Sequence, residues 1–313
     1  METYIDVAVI GAGISGISAA SHLKKKCPNK SFKIFEKRSA IGGTWDLFKY
    51  PGIRSDSDMF TLGFSFKPWK ERKAIADGPS IMNYLKETVS EHELEENINY
   101  NQSLIKAEWS TEKAIWKITL FNSITNKEEI ISCKFLFMCS GYYSYDKGYT
   151  PEFKGIENFN GSIVHPQKWS EEVDYDNKKV VIIGSGATAV TLVPEIAKKA
   201  SKVTMLQRSP TYIVAYPDED MFSNILKAIL PSKLSYALTR FRNVLVQQWI
   251  YTQCRKFPKY MKKFLLNRIR EYLSDDEIKK NFTPSYNPWE QRMCLVPNGD
   301  FFLSIKENKA SVV

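Results

Sequence analysis

No stretch of the 313 residues reaches the roughly 18 uninterrupted apolar positions that a membrane span needs. The N-terminus METYIDVAVIGAG has no basic region ahead of its apolar run, so a secretory leader is not expected. There is no C-x-x-C: the five cysteines (Cys27, Cys133, Cys139, Cys254, Cys294) are odd in number and scattered. That pattern argues against a zinc site, so no metal is expected. It favours free thiols in a reducing, cytoplasmic setting, with catalytic thiol chemistry the lesser reading. Acidic residues are missing from one long stretch: residues 221–270 hold eleven Lys or Arg and no Asp or Glu, which more than accounts for the net charge of +9. With 43% hydrophobic and 25% charged residues, the remainder describes an ordinary globular chain with room for about two domains.

The chain opens with a buried-type run, DVAVI, that leads straight into Gly11-Ala12-Gly13-Ile14-Ser15-Gly16 and then into a helical stretch. Its last turn is basic, which suits the negative end of a helix dipole, and Cys27-Pro28 ends it. A second strand, FKIF, ends at Glu36, 20 residues after Gly16. Strand, glycine loop, helix, strand and acid in that order make a Rossmann dinucleotide unit. Gly11 permits the tight turn, Gly13 lets backbone approach a pyrophosphate, and Gly16 lets helix and strand pack closely. Backbone N–H groups at the helix start point at phosphate, and Glu36 would accept hydrogen bonds from the adenosine ribose. A merely structural glycine turn would not explain that acid. A carboxylate there disfavours a 2′-phosphate, so the site suits FAD or NAD.

A second unit begins at KVVII and enters Gly184-Ser185-Gly186-Ala187-Thr188-Ala189, with alanine in the third glycine position, as the motif allows. The strand after its helix, VTML, ends in Gln207-Arg208 and not in an acid. An arginine binds the 2′-phosphate of NADPH through charge-assisted hydrogen bonds worth roughly 1.5–3 kcal/mol each, enough for about tenfold to a hundredfold preference over NADH. The other reading is a surface arginine without a partner. The acid after the first loop and the arginine after the second therefore assign FAD to the first loop and NADPH to the second.

Between the loops lies FNGSIVHPQKW, with Phe159, Gly161, His165 and Trp169 in the pattern F-x-G-x-x-x-H-x-x-x-W. This resembles the fingerprint of the Baeyer–Villiger monooxygenases, flavoenzymes that insert an oxygen atom beside a ketone carbonyl. Trp169 separates them from flavin monooxygenases that oxidise nitrogen and sulfur. A second string, Gly42-Gly43-Thr44-Trp45 followed by Tyr50-Pro51-Gly52 and Asp56, resembles the family's loop over the flavin. IGGTWDLFKYPGIRSDSDMFTLGF, FLFMCSGYY and YNPWEQRMCLVPNGD are similar to a branch typified by the ethionamide-activating monooxygenases of mycobacteria.

The resemblance implies FAD contacts from Gly43, Thr44, Trp45 and Asp56, and a hinge role for His165 in preference to proton transfer. It makes Arg292 the catalytic residue, paired with Asp56. The residues by themselves leave Asp56 open to a second reading, a turn or N-cap acid in SDSD. The implied reaction uses NADPH and O2 with a ketone or sulfur-containing substrate and runs through a C4a-peroxyflavin. Two rivals stay open, an NADPH oxidase or flavin reductase that never oxygenates, and a silent NADP-binding module.

The basic stretch 221–272 alternates apolar and cationic residues at helical spacing. It reads either as helices with solvated basic faces or as a surface touching anionic lipid. Nucleic-acid binding would need a recognisable motif, and none is present. The expected architecture is α/β: two Rossmann-like dinucleotide-binding domains, the NADPH domain inserted in an FAD domain that lacks its C-terminal part. The expected boundaries are 1–170 (FAD), 171–300 (NADPH) and 301–313 (start of the return to the FAD domain). A sheet lacking strands should leave open edges and bare apolar surface.

Overall fold

A computed structural model describes residues 3–291 and 293–313. The chain divides into two compact units, one taking the chain up to Phe48 together with Pro79–Phe159, the other Lys49–Gly78 together with Asn160–Val313. In chain order the first unit carries β1 (Thr3–Ile10), α1 (Ile14–Lys26), β2 (Phe32–Phe35) and the short α2 (Thr44–Leu47). The next element, α3 (Met59–Leu62), belongs to the second unit. The chain resumes the first unit within α4 (Gly78–Glu91) and continues through β3 (Ile98–Asn99), β4 (Gln102–Ser110), β5 (Ile115–Asn122) and β6 (Lys127–Met138). The second unit then collects β7 (Lys179–Ile183), α5 (Ala187–Ile196), β8 (Lys202–Leu206), β9 (Tyr212–Tyr216), α6 (Met221–Ile229), α7 (Ser232–Lys256), α8 (Pro258–Ile269), α9 (Asp275–Asn281), β10 (Met293–Pro297), α10 (Asp300–Lys306) and β11 (Ala310–Val312).

The first unit is a six-stranded sheet in the order β3-β2-β1-β6-β5-β4. β1 pairs in parallel with β2 and β6, while β5 pairs antiparallel with β4 and β6. Ile5, Ala8, Ile10, Phe35, Ile118, Leu120, Ile131 and Cys133 form one packed core cluster. Ile118 and Leu120 are fully buried. Such burial contributes roughly 1.5–3 kcal/mol per side chain, against a few tenths to about 1 kcal/mol for a cross-strand pair. Burial therefore sets the register, since a one-residue slip would turn both outward. Phe135 and Phe137 on β6 stay exposed at 56% and 43%.

In the second unit β7 and β8 are joined through α5 and pair in parallel, with β11 on the far edge of β8; β9 and β10 form a separate parallel pair. Val181 and Ile183 on β7 are also exposed. The long α7 buries Ser235, Tyr236, Thr239 and Asn243 along one side. The basic stretch is helical throughout α6, α7 and α8. No helix among the described residues is long and apolar enough to cross a membrane.

The division differs from the expected boundaries in three ways, the first being that the first unit ends at Phe159 and not at residue 170. Residues 49–78, expected in the first domain, group with the second unit because α7 holds both ends of α3. At its start, Asp58 accepts from the Thr61 amide at 3.0 Å and receives Asn243 Nδ2 at 3.0 Å and Gln247 Nε2 at 2.7 Å. At its end, Arg240 Nη1 donates to the carbonyls of Phe60 (2.6 Å) and Gly63 (2.8 Å), filling acceptors that a four-residue helix leaves open. Residues 301–313 also stay with the second unit and do not begin a return to the first: Ala310, Ser311 and Val312 pair with Val203, Thr204 and Met205 of β8.

Candidate functional site

In the first unit the C-terminal ends of β1, β2 and β6 meet at the glycine loop. The Gly11 amide donates to the Phe35 carbonyl at 2.8 Å, and the Cys139 amide donates to the Ile10 carbonyl at 2.8 Å. Gly11 has φ +103°, and a Cβ there would lie 2.5 Å from the Cys139 carbonyl oxygen. At Gly16 a Cβ would lie 1.8 Å from the Gly11 oxygen, so α1 can pack here only without a side chain. Gly13 differs, because its Cβ would meet nothing nearer than 3.7 Å. It starts α1 with no side-chain cap and no acid in the first turn, which leaves the helix's positive end open to an anion. Ala12 is buried, Ile14 half-buried and Ser15 exposed.

Glu36 is buried at the end of β2. Its Oε2 accepts from the Ala12 amide at 2.7 Å and its Oε1 from the Arg38 amide at 2.9 Å, which fixes the carboxylate beside the loop. The Gly42-Gly43-Thr44-Trp45 string folds back onto this loop: the Gly42 amide donates to the Ala12 carbonyl at 2.9 Å. Thr44 and Trp45 are half-buried. Arg38 pins the turn by bridging to Asp46 at 2.5 Å. Tyr145, which the sequence did not single out, lies here too, its hydroxyl 3.1 Å from where a Gly43 Cβ would be. Burial is the main cause that pushes the Tyr145 phenol above its ordinary range, against a hydrogen bond with Thr44.

The second loop leaves β7 at Gly184 (φ +123°), whose amide donates to the Leu206 carbonyl at 2.8 Å. Gly186 begins α5 at φ −83°, again with no side-chain cap and no acid in the first turn. A Cβ on Gly184 or Gly186 would meet no atom within 4 Å, so open space lies over this loop. Ser185 Oγ donates to the Ser209 carbonyl at 3.2 Å. Ala187 and Thr188 are half-buried at the helix start, and Ala189 fills the third position with a buried methyl. At the end of β8, Gln207 is tied down, its Nε2 donating to the Asn281 carbonyl at 2.8 Å and its amide to the Val313 carbonyl at 2.9 Å. Arg208 is exposed.

The boundary between units falls inside the fingerprint, between Phe159 and Asn160. Phe159 is 61% exposed and Gly161 is exposed. His165 caps the turn Pro166–Lys168, its Nδ1 accepting from the Gln167 amide at 3.2 Å. Trp169 packs edge-on against Tyr175 with ring centres 6.0 Å apart. In SDSD the N-cap is Asp58 and not Asp56, which sits half-buried two residues earlier. Arg292 lies outside the described residues. Cys133, Cys139 and Cys254 are buried, and burial raises each thiol above its ordinary range, which disfavours a thiolate nucleophile.

Sequence reasoning missed the polar group around Asp58. Arg242 bridges to Asp220, the N-cap of α6, and Asn243 Nδ2 reaches both Asp58 and Asp220. Asn243 and Gln247 at i, i+4 on α7 were the only signal available.

The fold is similar to that of solved monooxygenase structures. A steroid monooxygenase bound to NADP matches with a TM-score of 0.79 at 23% identity, over 99% of this chain and 65% of the other. The cyclohexanone monooxygenase of Rhodococcus sp. Phi1, bound to NADP+, matches with a TM-score of 0.75 at 20% identity. The family model described as flavin-binding monooxygenase-like matches residues 5–278, and the chain belongs to that family. It is 51% identical over 315 residues to the FAD-containing monooxygenase EthA of Mycobacterium tuberculosis, covering all of this chain and 64% of EthA. It is 49% identical over 313 residues to the probable FAD-binding monooxygenase AlmA of Acinetobacter baylyi, covering 63% of AlmA. The chain thus spans just under two thirds of the length of these relatives.

Proposed function

We propose that the chain binds FAD at the first loop and NADP(H) at the second, as part of a monooxygenase that takes one oxygen atom from O2 into a ketone or onto sulfur. The observation that carries this reading is the contrast between the two sites. A buried, backbone-anchored Glu36 closes the first. An exposed Arg208 beside an open, uncapped helix start closes the second.

Glu36 would accept the ribose hydroxyls of FAD, while the amides at Gly13 to Gly16 would receive its pyrophosphate. At the second loop Gly184 to Ala189 would cradle the NADPH pyrophosphate, and Arg208 would hold the 2′-phosphate. The Gly43–Trp45 turn would cover the flavin. When bound, the flavin supplies electron transfer from NADPH to O2. Arg292 is proposed to stabilise negative charge as oxygen transfers, with Asp56 orienting it. The fingerprint from Phe159 to Trp169, where the chain passes between units, would act as the hinge, with His165 shaping its turn.

The test starts from protein saturated with FAD and freed of excess by gel filtration. The expected result is retained flavin absorption, NADPH oxidised in preference to NADH, and an ester or lactone formed from a cyclic ketone. Arg208→Ala should lose the NADPH preference by about tenfold to a hundredfold. Hydrogen peroxide released in proportion to NADPH, with no oxygenated product, would replace this reading with an oxidase. A colourless protein would remove the flavin assignment.

A further inference from the structure

A groove between α8 and α9 plays no part in the proposed cofactor chemistry. α8 buries Met261, Leu265 and Ile269 at i, i+4, i+8, which aims the residues at its other positions outward. Lys259, Lys262, Lys263 and Arg270 then fall along one open side, and with Lys279 and Asp275 of α9 they line a cleft of about 420 Å³. That volume lies in the range of about 300–1,000 Å³ typical of small-ligand pockets. Five cations face it against one acid, and the acid is already engaged, since Asp275 Oδ1 accepts from Arg270 Nε at 2.7 Å. Lys262 is held in place by the Pro284 carbonyl. Among the described residues no carboxylate bridges to Lys259, Lys263 or Lys279.

Like charges gathered in one cleft repel one another, and a multiply charged anion would relieve that repulsion. Flexible lysine ammonium groups act as point charges around a compact polyanion, in contrast to the planar fork with which arginine grips one carboxylate. We propose that this groove binds a phosphate-bearing polyanion, at a site separate from both glycine loops. The phosphate could belong to a soluble molecule or to a phospholipid headgroup, and the chemistry of recognition is the same for both.

The test uses the full chain with two probes: inorganic tripolyphosphate followed by titration calorimetry, and vesicles of phosphatidylcholine with or without phosphatidylglycerol followed by co-sedimentation. Binding of tripolyphosphate alone would identify a soluble source, and binding of the phosphatidylglycerol vesicles a lipid one; either supports the site. Lys259→Glu with Lys263→Glu should weaken binding by more than about tenfold. The matching charge-neutral pair, Lys259→Gln with Lys263→Gln, should give an intermediate loss if the fold is intact. Lys179→Glu with Lys233→Glu, which makes the same change of charge on exposed positions away from the groove, should stay within about twofold of the parent. The proposal is overturned if neither probe binds, if the groove variant binds like the parent, or if the control pair weakens binding equally.

Discussion

Two glycine-to-alanine changes, one in each loop, should have opposite consequences. At Gly16 the added Cβ would come 1.8 Å from the Gly11 oxygen, where real Cβ contacts essentially never fall below 3.0 Å. The gap of about 1.2 Å must be opened by moving backbone on both sides, because neither atom belongs to a flexible side chain. Overpacking of this kind costs about 1–3 kcal/mol and sometimes more. For units of this size that lowers the melting temperature by roughly 2–12 °C. At Gly186 the Cβ would meet nothing within 4 Å, and φ of −83° is open to any residue. Gly186→Ala should therefore change stability by less than about 1 kcal/mol, because the gain through the unfolded chain is offset by the poorer fit of alanine at the N-cap of α5. Its methyl would, however, stand in the open space proposed for the NADPH pyrophosphate, so NADP+ affinity should fall. Thermal melts by circular dichroism and NADP+ titration read the two effects separately. A Gly16→Ala protein that melts like the parent would refute the packing argument. A Gly186→Ala protein that loses as much stability as Gly16→Ala, or that keeps full NADP+ affinity, would refute the reading of the second loop.

Asp58→Ala should cost about 1–4 kcal/mol, since it removes the cap of α3 and leaves the Asn243 and Gln247 amides only their longer contacts to Asp220 at 3.5 Å and Thr61 Oγ1 at 3.3 Å. A fall in the urea midpoint at constant slope would show this, and a loss below about 1 kcal/mol would contradict it. Stability should also decline in alkali. Burial raises the Cys133, Cys139 and Cys254 thiols above 9.0 and the Tyr212 and Tyr236 phenols above 10.0 in the folded chain. The unfolded chain then releases these protons first, so stability holds below about pH 9, begins to fall there and falls faster past about pH 10. Urea melts between pH 8 and 11 would check this, and a flat or rising profile would count against it.

The tight turn at Gly11 and the close packing at Gly16 were legible in the sequence because both are local, answering to backbone a few residues away or on the adjoining strands. Glu36 was equally legible, since strand length alone brings it to the loop. The placement of residues 49–78 was not legible. It depends on contacts such as Tyr236 to Phe64 and Gln247 to Asp58, 172 and 189 positions apart, and Asn243 and Gln247 look like ordinary surface amides on a polar helix. The same limit explains 301–313. Periodicity can mark a short strand but cannot say which sheet β11 joins, and its partner is decided by the open edge of β8. Asp58 rather than Asp56 as the cap of α3 is a matter of one turn of backbone, below the resolution of the SDSD pattern.

The attachment of α3 to α7 has a consequence for how the protein is made. The Asp58–Asn243 contact spans 185 positions, while the whole of the first unit up to Phe159 lies between them or before them. On a ribosome adding about 5–20 residues per second, Asp58 must wait about 10–40 s for its partner. Over that interval Met59 and Phe60, both fully buried in the finished protein, have no seat. The first unit can close while this loop hangs open, so synthesis order leaves residues 49–78 open to chaperones and proteases over that interval. A chain begun at residue 160 would inherit the complementary fault, a seat on α7 with nothing to fill it.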